Sequence, residues 1–269
     1  MFSSECVVQI DRLLLPSYFY LQKCTTSNII YALTCPCGEK DYVAHTNQSF
    51  VDCLLYHRRE VIRAIREFLF GDANVSLMES ISKSEEANAN DRNWLYQHSA
   101  RCPAILQLFL DRNPSYWCFI PVPIDRSVRP GTRAPPQPLP PPTEQTALAV
   151  IRMTRRNDAL ALRLSNNVPR PIVDYEFRHE HFVEQRLFFK YGKDYDLINV
   201  HNLQFHHAAI VAVLPDDSSN VVKKFVESLF ITHGECRLNK DGRLTNQHFF
   251  HDYLARGEWY RDLTRPPLS

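Results

Sequence analysis

Tyr31, Tyr42, His57 and Glu227 are the residues whose types and spacing could do chemistry. The tyrosines stand eleven residues apart, in two runs joined by Cys35-Pro36-Cys37-Gly38. His57 falls in the stretch that follows, and Glu227 precedes Asn239 by twelve residues. A phenol, an imidazole and a carboxylate are side-chain types that can move protons or hold a metal ion. Each also has a plainer role. Two tyrosines in a hairpin pack across strands, a single helix histidine sits at the surface, and a single glutamate is a solvated acid.

The elements that must position these groups follow from the pattern. The runs around residues 28–46 are β-branched and aromatic, and a Cys-Pro-Cys-Gly turn between them reads as a hairpin. Ser49 caps the next helix, with Asp52 three residues on. Phe50, Leu54, Val61, Ile65 and Leu69 recur at helical spacing, and Gly71 ends the helix. Residues 1–24 read as an N-terminal helix packing on the sheet. The polar stretch 72–92 reads as a loop. Trp94–Leu110 reads as helical, with Pro103 as a break or restart. Tyr116–Val122, Ala147–Met153, Ala159–Leu164 and Ala208–Leu214 read as strands. Phe182–Lys190 is either helix or strand, Val221–Thr232 is helical, and the aromatic tail 248–260 docks on the core.

This order of hairpin, two tyrosines and basic helix resembles the core of the GIY-YIG nucleases, most of all the endonuclease domain of Penelope-type retroelements. The resemblance covers roughly residues 27–70 and 220–243. Ile29-Ile30-Tyr31 stands for Gly-Ile-Tyr, and Tyr42-Val43-Ala44 for Tyr-Ile-Gly, so both tyrosines are kept and both glycines are lost. The family's arginine falls at Cys53, and its histidine four residues later at His57. The resemblance implies that Tyr31 or Tyr42 orients or deprotonates water. It further implies that His57 serves acid–base work or phosphate binding, and that Glu227 holds Mg or Mn if the site is active. Without the arginine, cleavage is expected to be weak or absent, since one preorganised donor is worth about 10²–10³ in rate. Arg58, Arg59, Arg63 and Arg66 do not share the stripe of Cys53 and His57 at 100° per residue. They form instead a basic face for phosphates, which fix position without reading sequence.

The expected fold is therefore α/β, a small mixed or antiparallel sheet flanked by helices, with a long insertion and a Pro-rich linker. Three segments are expected: 1–124 with the hairpin, the linker 125–147, and 148–269 completing the core or forming a second domain. The expected partner is DNA or RNA. The alternative is a non-catalytic interaction module whose Pro-rich run, Pro135–Pro142, takes a protein partner; otherwise that run is a solvated spacer. A third option is an active enzyme with its arginine supplied by Arg152, Arg155 or Arg156. Net charge is +1, so binding must come from local clustering.

The early Glu5, Asp11 and Arg12 argue against a secretory signal. No apolar run reaches the length of a membrane span. Eight cysteines then read as reduced thiols in cytosol or nucleus. Cys35-Pro36-Cys37-Gly38 has the form of half a metal knuckle, but no second Cys pair at short spacing completes it, so a plain turn is expected. His179-Glu180-His181, His201 and His206-His207 read as surface histidines before they read as a metal site.

Overall fold

Ile29–Thr34 (β1) carries apolar residues at consecutive positions, the pattern of a strand covered on both faces. In a computed structural model it is the centre of an antiparallel sheet, between Asp41–Thr46 (β2) and His207–Val213 (β5). The structure describes residues 26–38, 40–82, 94–124, 158–191, 203–239, 241–244 and 263–264. The N-terminal 24 residues, the linker 125–147, Ala147–Met153 and the tail 248–260 lie outside them, as do Arg152, Arg155, Arg156 and His201.

Strand alternation divides the sheet's side chains into two sets. Tyr31 pairs with Ala44 and Leu33 with Tyr42, so Tyr31, Leu33, Tyr42 and Ala44 share one face. Ile30 pairs with His45 and Ala32 with Val43, so these four share the other. Helix Phe50–Phe70 (α1) covers the first face. Its Ser49 cap accepts from the Asp52 N–H at 3.2 Å, and Gly71, at φ +92°, ends it in the left-handed conformation. Helix Asn220–His233 (α7) covers the second face, where Ile231 and Cys236 pack with Ile30 and Val43, all four buried. Burying an isoleucine of this kind is worth about 1.5–3 kcal/mol.

The tail of α7 then secures the edge of β2. Asn239 Oδ1 accepts from the Val43 N–H at 2.9 Å, and its Nδ2 donates to the Val43 carbonyl at 2.7 Å. Both backbone groups of an edge residue are thereby satisfied without another strand. Lys223 on α7 is buried and donates to the side-chain oxygens of Asn28 and Asn47, tying the start of β1 to the end of β2.

The described residues form two compact units. The sheet, α1 to Phe68, Trp94–Ser99 (α3), Pro103–Arg112 (α4) and α7 belong to the first. The second holds Asp72–Ser82 (α2), the 3₁₀ turn Pro114–Phe119 and the short strands Val122–Pro123 (β3) and Tyr175–Glu176 (β4), with helices 158–166 (α5) and His179–Tyr191 (α6). Phe70, Phe119 and Phe189 fill its core, with Tyr116 and Phe188 against them. The units interleave along the chain.

The coarse class holds: a small antiparallel sheet flanked by helices. Three local expectations do not. Residues 72–82 are helical, because Val75 is buried and Asn74 Nδ2 reaches the carbonyls of Phe70 and Leu164. Residues 158–166 are helical, with Ala161, Leu164 and Ser165 buried at helical spacing. Most of Tyr116–Val122 is the 3₁₀ turn, which Pro114 starts. Pro103 restarts a helix as expected, and Phe182–Lys190 resolves as helix within α6.

Candidate functional site

On the α1 face of the sheet, Tyr31, Tyr42 and His57 come together. Phe50 begins α1 on the buried side, and Cys53 and His57 follow on that side. Tyr31 Oη lies 2.7 Å from His57 Nε2, and His57 Nδ1 lies 2.9 Å from Tyr96 Oη on α3. The Tyr42 ring meets the imidazole edge-on, with centroids 5.9 Å apart. His57 is 5 % exposed. Both its nitrogens are therefore engaged: a neutral imidazole donates through one and accepts through the other.

Burial fixes the protonation of this cluster. It pushes His57 down to about 4 and raises the Tyr31 and Tyr96 phenols. At neutral pH the imidazole is uncharged and the phenols keep their protons. Cys53, also buried and raised by burial, lies beneath the Tyr31 hydroxyl, in the position where the resemblance has an arginine. A recess of about 30 Å³ adjoins, lined in part by Leu33, His57, Arg58 and His206. It is water-sized. His206 is buried as well, pushed down to about 3 by burial, with Ser99 Oγ 3.1 Å from its Nε2. His206 is thus a core histidine, while His207, His179 and Glu180 are exposed.

Glu227 projects from α7 to His45, with which it shares a hydrogen bond. His45 belongs to the face opposite Tyr31 and Tyr42. The structure thus groups three of the four candidate residues and pairs the fourth with a different histidine. On the basic helix, Arg59 is exposed, Arg63 is ion-paired to Glu67 at 3.1 Å, and Arg58 and Arg66 are half-buried.

A second cluster gathers at the hairpin turn. Cys35 closes β1, its N–H donating to the Lys40 carbonyl at 2.9 Å, and Gly38 turns the chain at φ +76°. This turn presents Cys35 and Cys37 to His98 on α3 and to Cys102 at the start of α4. The four ligand atoms lie within 4.8 Å of one another. Cys35 Sγ is 3.5 Å from Cys102 Sγ and 3.1 Å from His98 Nε2, and Cys37 Sγ is 3.6 Å from that nitrogen. In a tetrahedral zinc site with bonds near 2.3 and 2.05 Å, the edges are about 3.5–3.8 Å. Three sulfurs and one imidazole suit zinc and not the oxygen-seeking Mg or Mn.

Cys102 precedes Pro103 at the N-terminus of α4, where backbone N–H groups favour a thiolate. The hydrogen bond with Cys35 lowers its pKa, with His98 contributing. His98 and Cys102 are not among the candidates that the sequence suggests. Their only signal was a His-x₃-Cys pair about sixty residues beyond the turn, at one-helical-turn spacing.

Among the described residues, no helix is long and apolar enough to cross a membrane. Comparison with family models, with curated proteins and with solved structures finds no match for this chain.

Proposed function

We propose that this chain is a zinc-stapled, nuclease-like module that binds nucleic acid and cleaves it weakly or not at all. The engagement of His57 on both nitrogens carries the non-catalytic part. A general base must reach the proton it abstracts, directly or through one water, and this imidazole is held between two phenols inside the protein. At Glu227, one carboxylate oxygen is already engaged by His45. The Cys35, Cys37, His98 and Cys102 set supports a structural zinc that ties the turn to α3 and α4. The arginine-bearing side of α1, with Arg59 in water, is the surface offered to phosphates.

Binding of fluorescent duplex DNA and of single-stranded RNA, titrated against salt, tests the reading. Affinity should fall steeply with salt, and Arg59→Ala with Arg63→Ala should lower the slope by about one unit per lost phosphate contact. Plasmid with magnesium should remain uncut. No binding at low salt would leave the protein-interaction alternative in its place. Efficient cutting abolished by Glu227→Ala would show a working nuclease.

A further inference from the structure

We propose that the Cys35, Cys37, His98 and Cys102 site is a redox-responsive staple: a hydroperoxide converts it from a zinc-thiolate link to a Cys35–Cys102 disulfide and expels the zinc. The inference rests on the zinc reading given above. Three observations carry it. Cys35 Sγ and Cys102 Sγ already touch at 3.5 Å, although 67 residues separate them. Both are buried, whereas Cys37 is exposed in the same cluster. The ligand atoms of all four residues lie within 4.8 Å, so a sulfur oxidised at one position has a second sulfur within reach.

The chemistry follows the exposure. The Cys37 thiolate attacks one oxygen of the peroxide, the O–O bond breaks, and Cys37 becomes a sulfenic acid as hydroxide leaves and takes a proton to form water. The Cys102 thiolate then attacks the Cys37 sulfur, expelling a second hydroxide and forming a disulfide. Cys35 attacks Cys102 Sγ in turn and releases Cys37 as thiolate. The sum is two thiolates, one peroxide and two protons giving one disulfide and two waters. The metal loses two sulfur donors and leaves. The link between the turn and the start of α4 survives in covalent form. Cys37 and His98 are freed at the surface.

The test uses the full chain purified in reductant and loaded with Zn²⁺. Bound metal is counted first, then hydrogen peroxide is added while zinc release is followed with a colorimetric chelator. Peptide mass mapping follows. The expected result is one zinc released per chain, a Cys35–Cys102 linked peptide, and recovery of zinc binding after thiol reduction. Cys37→Ser should slow the release severalfold, because the exposed entry thiol is gone. Stoichiometric zinc that peroxide releases only with Cys37 carried to sulfinic or sulfonic acid overturns the switch and leaves the zinc reading standing. A Cys35–Cys102 disulfide in a chain that never holds zinc overturns the zinc reading and with it the proposed exchange.

Discussion

The two polar clusters of the first unit are built from the same helix and differ in what their atoms still lack. Tyr96 and His98 lie two residues apart on α3, and so point to different sides of it. Tyr96 completes the ring of partners around His57, and every nitrogen there has a protein partner. His98 joins three sulfurs at separations that a metal would bridge. The first cluster is satisfied by the protein alone. The second gathers thiols and an imidazole that are weak partners for one another and strong ligands for zinc. Chemistry favours the second as the place where this protein meets something from outside.

Removing metal should break the comparison most sharply. A ligand present at a thousand times its Kd stabilises the folded state by about 4 kcal/mol. A strong chelator should therefore lower Tm markedly in the zinc-loaded wild type and leave Cys102→Ser unmoved. An unchanged wild-type Tm would place both clusters in the self-sufficient class. Next in size is His57→Leu, which leaves the buried Tyr31 and Tyr96 hydroxyls without their partner. Each stranded group costs about 1–3 kcal/mol, so urea unfolding should show about 3 kcal/mol lost. Gln at the same place, able to donate and accept, should lose less. Equal losses would mean the hydrogen bonds matter less than the packing of the ring.

Acid should act on the first cluster in a defined window. His57 is held at about 4 when folded and titrates near 6.5 when unfolded. The unfolded chain therefore binds the extra proton first, and stability is full above 6.5 and is lost as pH falls toward 4. One and a half units of that fall, to pH 5, correspond to about 2 kcal/mol. His206, held at about 3, extends the same trend further down. Unfolding free energies between pH 7 and 5, with chelator present so that metal release does not contribute, should fall more steeply in wild type than in His57→Gln. Parallel curves would show that His57 does not titrate in this way.

How much of this was legible depends on the range of each signal. The hairpin, α1 and α7 announce themselves by local periodicity, and the Ser49 and Gly71 ends by their own chemistry. The meeting of Tyr31, Tyr42 and His57 follows from those elements once α1 is laid on the hairpin, with strand alternation placing both tyrosines on one face. Glu227 was less legible. Local periodicity puts it in a helix, with Asn239 at fixed spacing, but which sheet face α7 covers depends on Ile30, Val43 and Ile231 finding one another, and nothing local encodes that. The Cys/His cluster was hidden for the same reason: Cys35 and Cys37 lie two residues apart in sequence, but His98 and Cys102 arrive by tertiary packing. In the second unit, the polar run 72–82 and the short alternation at 159–164 each fitted loop or strand locally. Burial of Val75, Asn74 and Leu164 made them helices.

The smallest effect asks whether the two clusters are coupled. Ser49 caps α1 by accepting from the Asp52 N–H, and its hydroxyl donates to the Asp52 carboxylate at 2.5 Å. Removing such a cap costs about 1 kcal/mol. Ser49→Ala therefore loosens the helix that carries His57 without touching a cysteine. It should lower urea stability by about that amount. Zinc affinity should stay within twofold, since His98 is fixed to α3 and Cys102 to the start of α4, and neither depends on the first turn of α1. A zinc affinity that falls with the cap would show strain passing from His57 through Tyr96 to His98. The shared helix would then make one site of what the geometry presents as two.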